Sequence, residues 1–116
     1  MPQNLSVNSN QLLVVVTALP SIEAATTLAK ALIEAHLAAC VQMNEGIYSI
    51  YRWEGRVCEE QEVLLSAKTM SHQWEEICAF IKESHPYGLP EILAFSPEQY
   101  DQQYGQWVGS EVNSKI

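Results

Sequence analysis

The sequence predicts an α+β fold, a four-stranded sheet with two helices on one side, and three observations predict it. Apolar β-branched runs and segments of helical periodicity follow the order strand, helix, strand, strand, helix, strand. Two long strand-like runs flank Glu54-Gly55, a pair suited to a tight hairpin turn. The chain has 116 residues, 47% of them hydrophobic, enough for one core and one domain. That domain is expected to span residues 11–109, between a loose Asn- and Ser-rich tail at 1–10 and a short tail at 110–116.

The first strand is "LLVVVTAL", a run of the kind buried on both faces of a sheet, and Pro20 stops it. Ser21 is placed to cap a helix, with Glu23 in the first turn where the helix dipole favours an anion. Ile22, Ala25, Ala29, Leu32 and His36 fall three and four apart, so the spacing predicts an amphipathic helix over 22–36. "LAACVQM" reads as strand, breaks at 44–46, and resumes as "IYSIYRW".

The return strand from Val57 to Met70 sets Glu60, Glu62, Leu64, Ser66 and Lys68 on one face and Gln61, Val63, Leu65, Ala67 and Thr69 on the other. Ser71 is placed to cap a second helix, whose stripe is Trp74, Ile77, Cys78 and Ile81. "EILAF" makes the last strand, and Tyr100 to Val108 a short C-terminal helix. The result is a split βαβ, or ferredoxin-like, βαββαβ sandwich with a long hairpin. Right-handed crossovers put both main helices on the same side of the sheet. The opposite face then needs another cover, and oligomerisation supplies one.

Fourteen acidic against six basic side chains give a formal charge of −8. Such a surface repels nucleic-acid backbones and anionic membranes, so neither is expected as a partner. The first residues, MPQNLSVNSN, have neither a positive n-region nor an apolar run, so a cytoplasmic location is expected. Cys40, Cys58 and Cys78 are odd in number and contain no CxxC pair, which suits reduced thiols. No P-loop, dinucleotide loop, HExxH or nucleophile elbow occurs, and the expectation is a protein that is not an enzyme.

A few residues carry chemistry beyond this framework. Cys40 offers a soft donor for Cu(I), with His36 four residues earlier, or else a small buried apolar side chain. Cys78 falls on a core stripe, and Cys58 on the hairpin. His85 stands just past a helix end before Pro86, either as a metal or anion ligand or as a hydrogen-bonded loop residue. Tyr87 and Glu91 add a phenol and a carboxylate within the same stretch, "HPYGLPEI". Lys68 lies among apolar strand residues and needs a partner from a neighbouring strand or subunit, Glu91 being one candidate. Tyr51 and Trp53 share one face of their strand, where two aromatics suit interface packing.

"LAACVQM", "SIYRWEG", "EVLLSAKT" and "HPYGLPEI", in this order over residues 11–109, closely resemble the CutA family of divalent-cation tolerance proteins. The resemblance implies a PII-like homotrimer with its sheets packed toward a threefold axis. It also implies a link to copper and other divalent metals, and it preserves a cysteine at Cys40. Tyr51, Trp53, Lys68, His85, Tyr87 and Glu91 match the polar and aromatic positions of the family and are expected to line a cleft between subunits. Two places depart from the pattern: Gly88-Leu89 stands where the family usually has an acidic or polar residue followed by valine, and Gly105 stands where leucine is usual.

Two functions are therefore expected of the trimer. In the first it binds copper or another divalent ion through Cys40 and His85, with no obligatory cofactor. In the alternative it is a PII-like regulatory trimer that holds a small metabolite in the intersubunit cleft and signals to a protein partner. Cys40→Ser separates them, because it removes the soft donor and leaves the cleft intact.

Overall fold

The computed structural model describes residues 11–114, so the tail expected at 1–10 and the last two residues of the other lie outside it. The elements are β1 (Leu12–Leu19), α1 (Ile22–Glu34), β2 (Cys40–Trp53), β3 (Arg56–Met70), a 3-10 turn (Ser71–Gln73), α2 (Trp74–Ser84), β4 (Ile92–Phe95) and α3 (Gln102–Glu111). The sheet is antiparallel throughout with order β2-β3-β1-β4, which is the ferredoxin-like arrangement the sequence predicts.

α1 starts where expected, because the Ser21 hydroxyl accepts the Ala24 N–H at 3.1 Å. Its buried face is Ala25, Leu28, Ala29 and Leu32. It ends at Glu34, two residues short of the expected His36, which turns out of the helix at φ 58 and lies exposed. α2 buries Ile77 and Ile81, with Trp74 and Phe80 packed alongside. Ser71 does not cap it; the residue opens the 3-10 turn, and its hydroxyl accepts the Gln11 N–H at 3.2 Å. The helices cover Leu13, Val15 and Leu19 of β1 and, on β3, Val63, Leu65 and Ala67, which follow the alternation read there from the sequence.

α3 closes one end of the other face, where Val108 and Val112 meet Leu12 and Met70. It begins two residues later than expected, because Asp101 caps it by accepting the Tyr104 N–H at 2.9 Å. It also runs to Glu111, so residues 110–113 are part of the fold where a tail was expected. Asn113 fastens this end. Its carbonyl accepts from Gln73 Nε2 at 2.6 Å and His72 Nε2 at 2.9 Å, and its side-chain amide donates to Ala35 O at 3.1 Å.

The break at 44–46 is a β-bulge inside one continuous strand. Asn44 pairs with Leu64 and Ile47 with Glu62, so two residues face one, and Gly46 takes φ 79. The bulge reverses the parity of β2. Before it Val41 and Met43 face the helices; after it Tyr51 and Trp53 lie on the opposite face with Cys58, Glu60 and Glu62. At the hairpin tip Glu54 and Gly55 have φ 51 and 81, the doubly left-handed turn that matches strand twist.

β1 pairs only with residues 63–70 of β3, so the hairpin from about residue 47 to 62 overhangs the sheet. On the face away from the helices, register aligns Val14 with Phe95 and Val16 with Leu93. Leu93 is 47% and Phe95 55% exposed, an apolar surface that this chain alone leaves uncovered.

Candidate functional site

The segment from His85 to Glu91 leaves the end of α2 and turns back toward β4 beside the base of the overhanging hairpin. Its first residue is an anchor. His85 is 8% exposed, its Nε2 donates to Ala18 O at 2.8 Å, and its Nδ1 accepts the Tyr87 N–H at 3.1 Å. Those two bonds fix the neutral tautomer with the proton on Nε2. Burial pushes the imidazole pKa down, opposed by the Ala18 bond and the nearby charge of Glu62.

Tyr87 follows, its ring 4.9 Å from that of His85. Its hydroxyl donates to Glu62 Oε2 at 2.8 Å, which ties the loop to β3. Burial and this carboxylate raise the phenol pKa. Glu62 is itself only 9% exposed. Across the hairpin, the Tyr51 hydroxyl donates to Glu60 Oε1 at 2.8 Å, and the bond holds the phenol up at about 12.

Between loop and hairpin lies a groove of about 740 Å³. Its chemistry comes from Tyr51, Trp53 and Tyr87 and from the carboxylates Glu60, Glu62 and Glu91, with Gly88-Leu89-Pro90 as its rim. Among the described residues no lysine, arginine or histidine lines it. The parity change at the bulge is what brings Tyr51 and Trp53 to this face.

The fold thus brings together four of the six expected cleft residues, Tyr51, Trp53, Tyr87 and Glu91, and sets His85 behind the wall. Lys68 is not among them. It pairs with Val14 and Cys40 at the far end of β3, about 20 Å along the strand from Glu62. Its ammonium donates to Gln42 Oε1 at 2.6 Å.

Cys40 shares that distant end, half-buried, and beside it the Tyr104 phenol pKa is raised, first by burial and second by the neighbouring Cys40 thiol. Within one chain Cys40 and His85 therefore do not form a donor pair. The imidazole has both nitrogens engaged. Among the described residues no group of three His, Cys, Asp or Glu side chains is gathered to hold a metal ion.

Glu60 and Glu62 are site residues that the sequence reading misses. Their signal is present, two acids at i and i+2 on one strand face beside an apolar run, but it reads equally as a solvated edge.

Residues 13–111 match the family model "CutA1 divalent ion tolerance protein". The chain belongs to the CutA1 family. It is 45% identical over 95 residues to the divalent-cation tolerance protein CutA of Thermus thermophilus, covering 82% of this chain and 92% of that one. It is 39% identical over 89 residues to human protein CutA, covering 77% of this chain and 50% of the human one. The solved structure of the divalent cation tolerance protein Cut A1 from Thermus thermophilus superposes with a TM-score of 0.85 at 42% identity, over 88% of this chain and 99% of that one. The CutA1 assignment agrees with the ferredoxin-like sheet order. No helix among the described residues is long and apolar enough to cross a membrane.

Proposed function

We propose that this CutA1-family chain acts in the cytoplasm as a homotrimeric divalent-cation tolerance protein that binds copper with donors from more than one subunit. What supports this reading is the match to divalent-cation tolerance proteins together with the half-buried thiol of Cys40, and since Cys40 and His85 stand apart within one chain, a site that uses both draws on more than one copy. A metal needs several convergent ligands, so its site is completed by assembly. Cys40 is the soft donor of that site. His85 joins only by giving up its bond to Ala18 or to Tyr87.

The surface supports assembly. Leu93 and Phe95 form an exposed apolar strip beside Val14 and Val16, and the overhanging hairpin exposes Tyr48, Ile50 and Val57 on its other face. Burying these against two further copies removes that apolar surface from water.

Anaerobic Cu(I) titration of reduced, metal-stripped protein against a competing chelator tests the metal site. Uptake with a fixed ratio per trimer, lost in Cys40→Ser, is expected. Failure to compete would refute copper binding through Cys40.

The groove favours a second activity in the same trimer, regulation by a small molecule. Its volume and three aromatic walls suit an organic ligand far better than a bare ion.

A further inference from the structure

We infer that α3 and the strap of residues 111–113 behind it form a lid over Cys40, one that opens as a unit while the sheet stays folded and that is latched shut at Asn113. This rests on the reading of Cys40 as the soft donor, and it names what controls access to that thiol.

The latch is polar and gathers on one short segment. The Asn113 N–H donates to His36 O at 3.0 Å, its side-chain amide donates to Ala35 O at 3.1 Å, and its carbonyl accepts from Gln73 Nε2 at 2.6 Å and His72 Nε2 at 2.9 Å. His36 Nδ1 adds a bond to Glu111 O at 3.1 Å. The end of α1 and the 3-10 turn thus grip the same three residues. His36 makes both of its bonds from a left-handed backbone at φ 58, a conformation that costs any residue with a side chain, so strain is held at the point of grip.

What the latch holds is weak by itself. α3 has ten residues with glycine at 105 and 109, no basic side chain in its last turn and an extended Val112 at its end, so little in its own sequence keeps it helical. Its buried residues are Gly105 and Val108, and Val108 and Val112 rest on Leu12, Met70 and Ala39. α1 by contrast buries Ala25, Leu28, Ala29 and Leu32. An element with so few apolar contacts and a polar clasp opens before the core does.

Cys40 stands where that opening is felt. It is half-buried, it follows Ala39 directly, and Tyr104 of α3 neighbours its thiol. The strand under it is fastened separately, because Ala39 N–H donates to Lys68 O at 2.9 Å and Cys40 itself pairs with Lys68. Lifting α3 therefore uncovers the thiol without moving the backbone that carries it.

Brief exposure of the whole reduced protein to N-ethylmaleimide, read by peptide mass spectrometry, gives the rates of Cys40, Cys58 and Cys78 side by side. His36→Gly removes the imidazole bond and suits φ 58, and together with Asn113→Ala it should speed Cys40 about tenfold. Gly109→Ala, where a Cβ meets only Met70 at 3.9 Å, stiffens the helix and should slow Cys40 about fivefold. Hydrogen exchange at the Val108 amide should move by the same factors. Cys58 on β3 and Cys78 on α2 lie outside the lid and should keep their rates.

A Cys40 rate indifferent to these changes would overturn the inference, and so would equal acceleration of all three thiols, which marks global unfolding. A Cys40 rate that falls as the protein is concentrated would overturn it as well, by placing the gate in subunit dissociation. Neither readout uses copper, so a failed copper titration leaves the lid intact, and a failed lid leaves copper binding at Cys40 intact.

Discussion

The Tyr87 hydroxyl donates to Glu62 Oε2 at 2.8 Å, joining a loop residue to a strand residue 25 positions earlier. This is the clasp between the two walls of the groove. Tyr87→Phe leaves the buried carboxylate without its donor and should destabilise the fold by about 1–3 kcal/mol. Urea denaturation measures it. In Glu62→Gln the same Tyr87→Phe change should cost less, because a neutral amide is cheaper to leave unmatched.

His85 makes stability depend on pH. Its folded pKa lies below the ordinary 6.5, so the unfolded chain takes up the proton first as pH falls. The stability it contributes is therefore complete above about 6.5 and is lost as pH drops toward the folded value. Thermal unfolding measured from neutral to mildly acidic pH should show this decline, and His85→Gln should remove its share. Nitrogen NMR should find the proton on Nε2.

Tyr51 should ionise only near 12, because the Glu60 carboxylate accepts its hydrogen bond and opposes the phenolate. Site-resolved carbon NMR of the tyrosine rings during an alkaline titration reads it. Glu60→Gln should return Tyr51 toward the ordinary value near 10. No change in that variant would mean the carboxylate has no hold on the phenol.

Phe95→Glu places a charge in the middle of the exposed apolar strip, on a short edge strand with little else resting on it. Light scattering should show the mass falling from trimer to monomer while circular dichroism keeps its shape. A trimer that survives this substitution and Leu93→Glu together would mean that the strip is not the interface.

Gly105 is tied to Tyr100, since a Cβ there would come within 2.5 Å of the Tyr100 ring. That ring in turn holds its hydroxyl against the Leu12 N–H at 3.2 Å. Gly105→Leu should push the ring away and speed hydrogen exchange at the Leu12 amide. The glycine where the family pattern has leucine is thus matched to this tyrosine.

The strands and their faces are legible because burial on β3 alternates from Val63 to Thr69, so Val63, Leu65 and Ala67 announce the core by period alone. The bulge is visible as a break, yet its effect is not. Whether Tyr51 faces the helices or the groove depends on one unpaired residue in the register with β3. His85 looks free in the sequence because nothing local shows that Ala18, 67 residues earlier, offers the carbonyl that binds it. Lys68 joins the cleft only by resemblance, and the register sets it about 20 Å from Glu62. The helix ends at His36 and Ser71 escape the sequence because a left-handed residue and a 3-10 turn leave no periodic signal.

The sheet order also sets a timetable for synthesis. β1 is made first yet sits inside the sheet, between β3 and β4. While the ribosome works through the next half of the chain, "LLVVVTAL" has no partner on either edge. Val15 first gains Ala67 and then, later still, Ala94. A strand so apolar and so long unpaired makes folding slow, and it is the segment a chaperone would hold during translation.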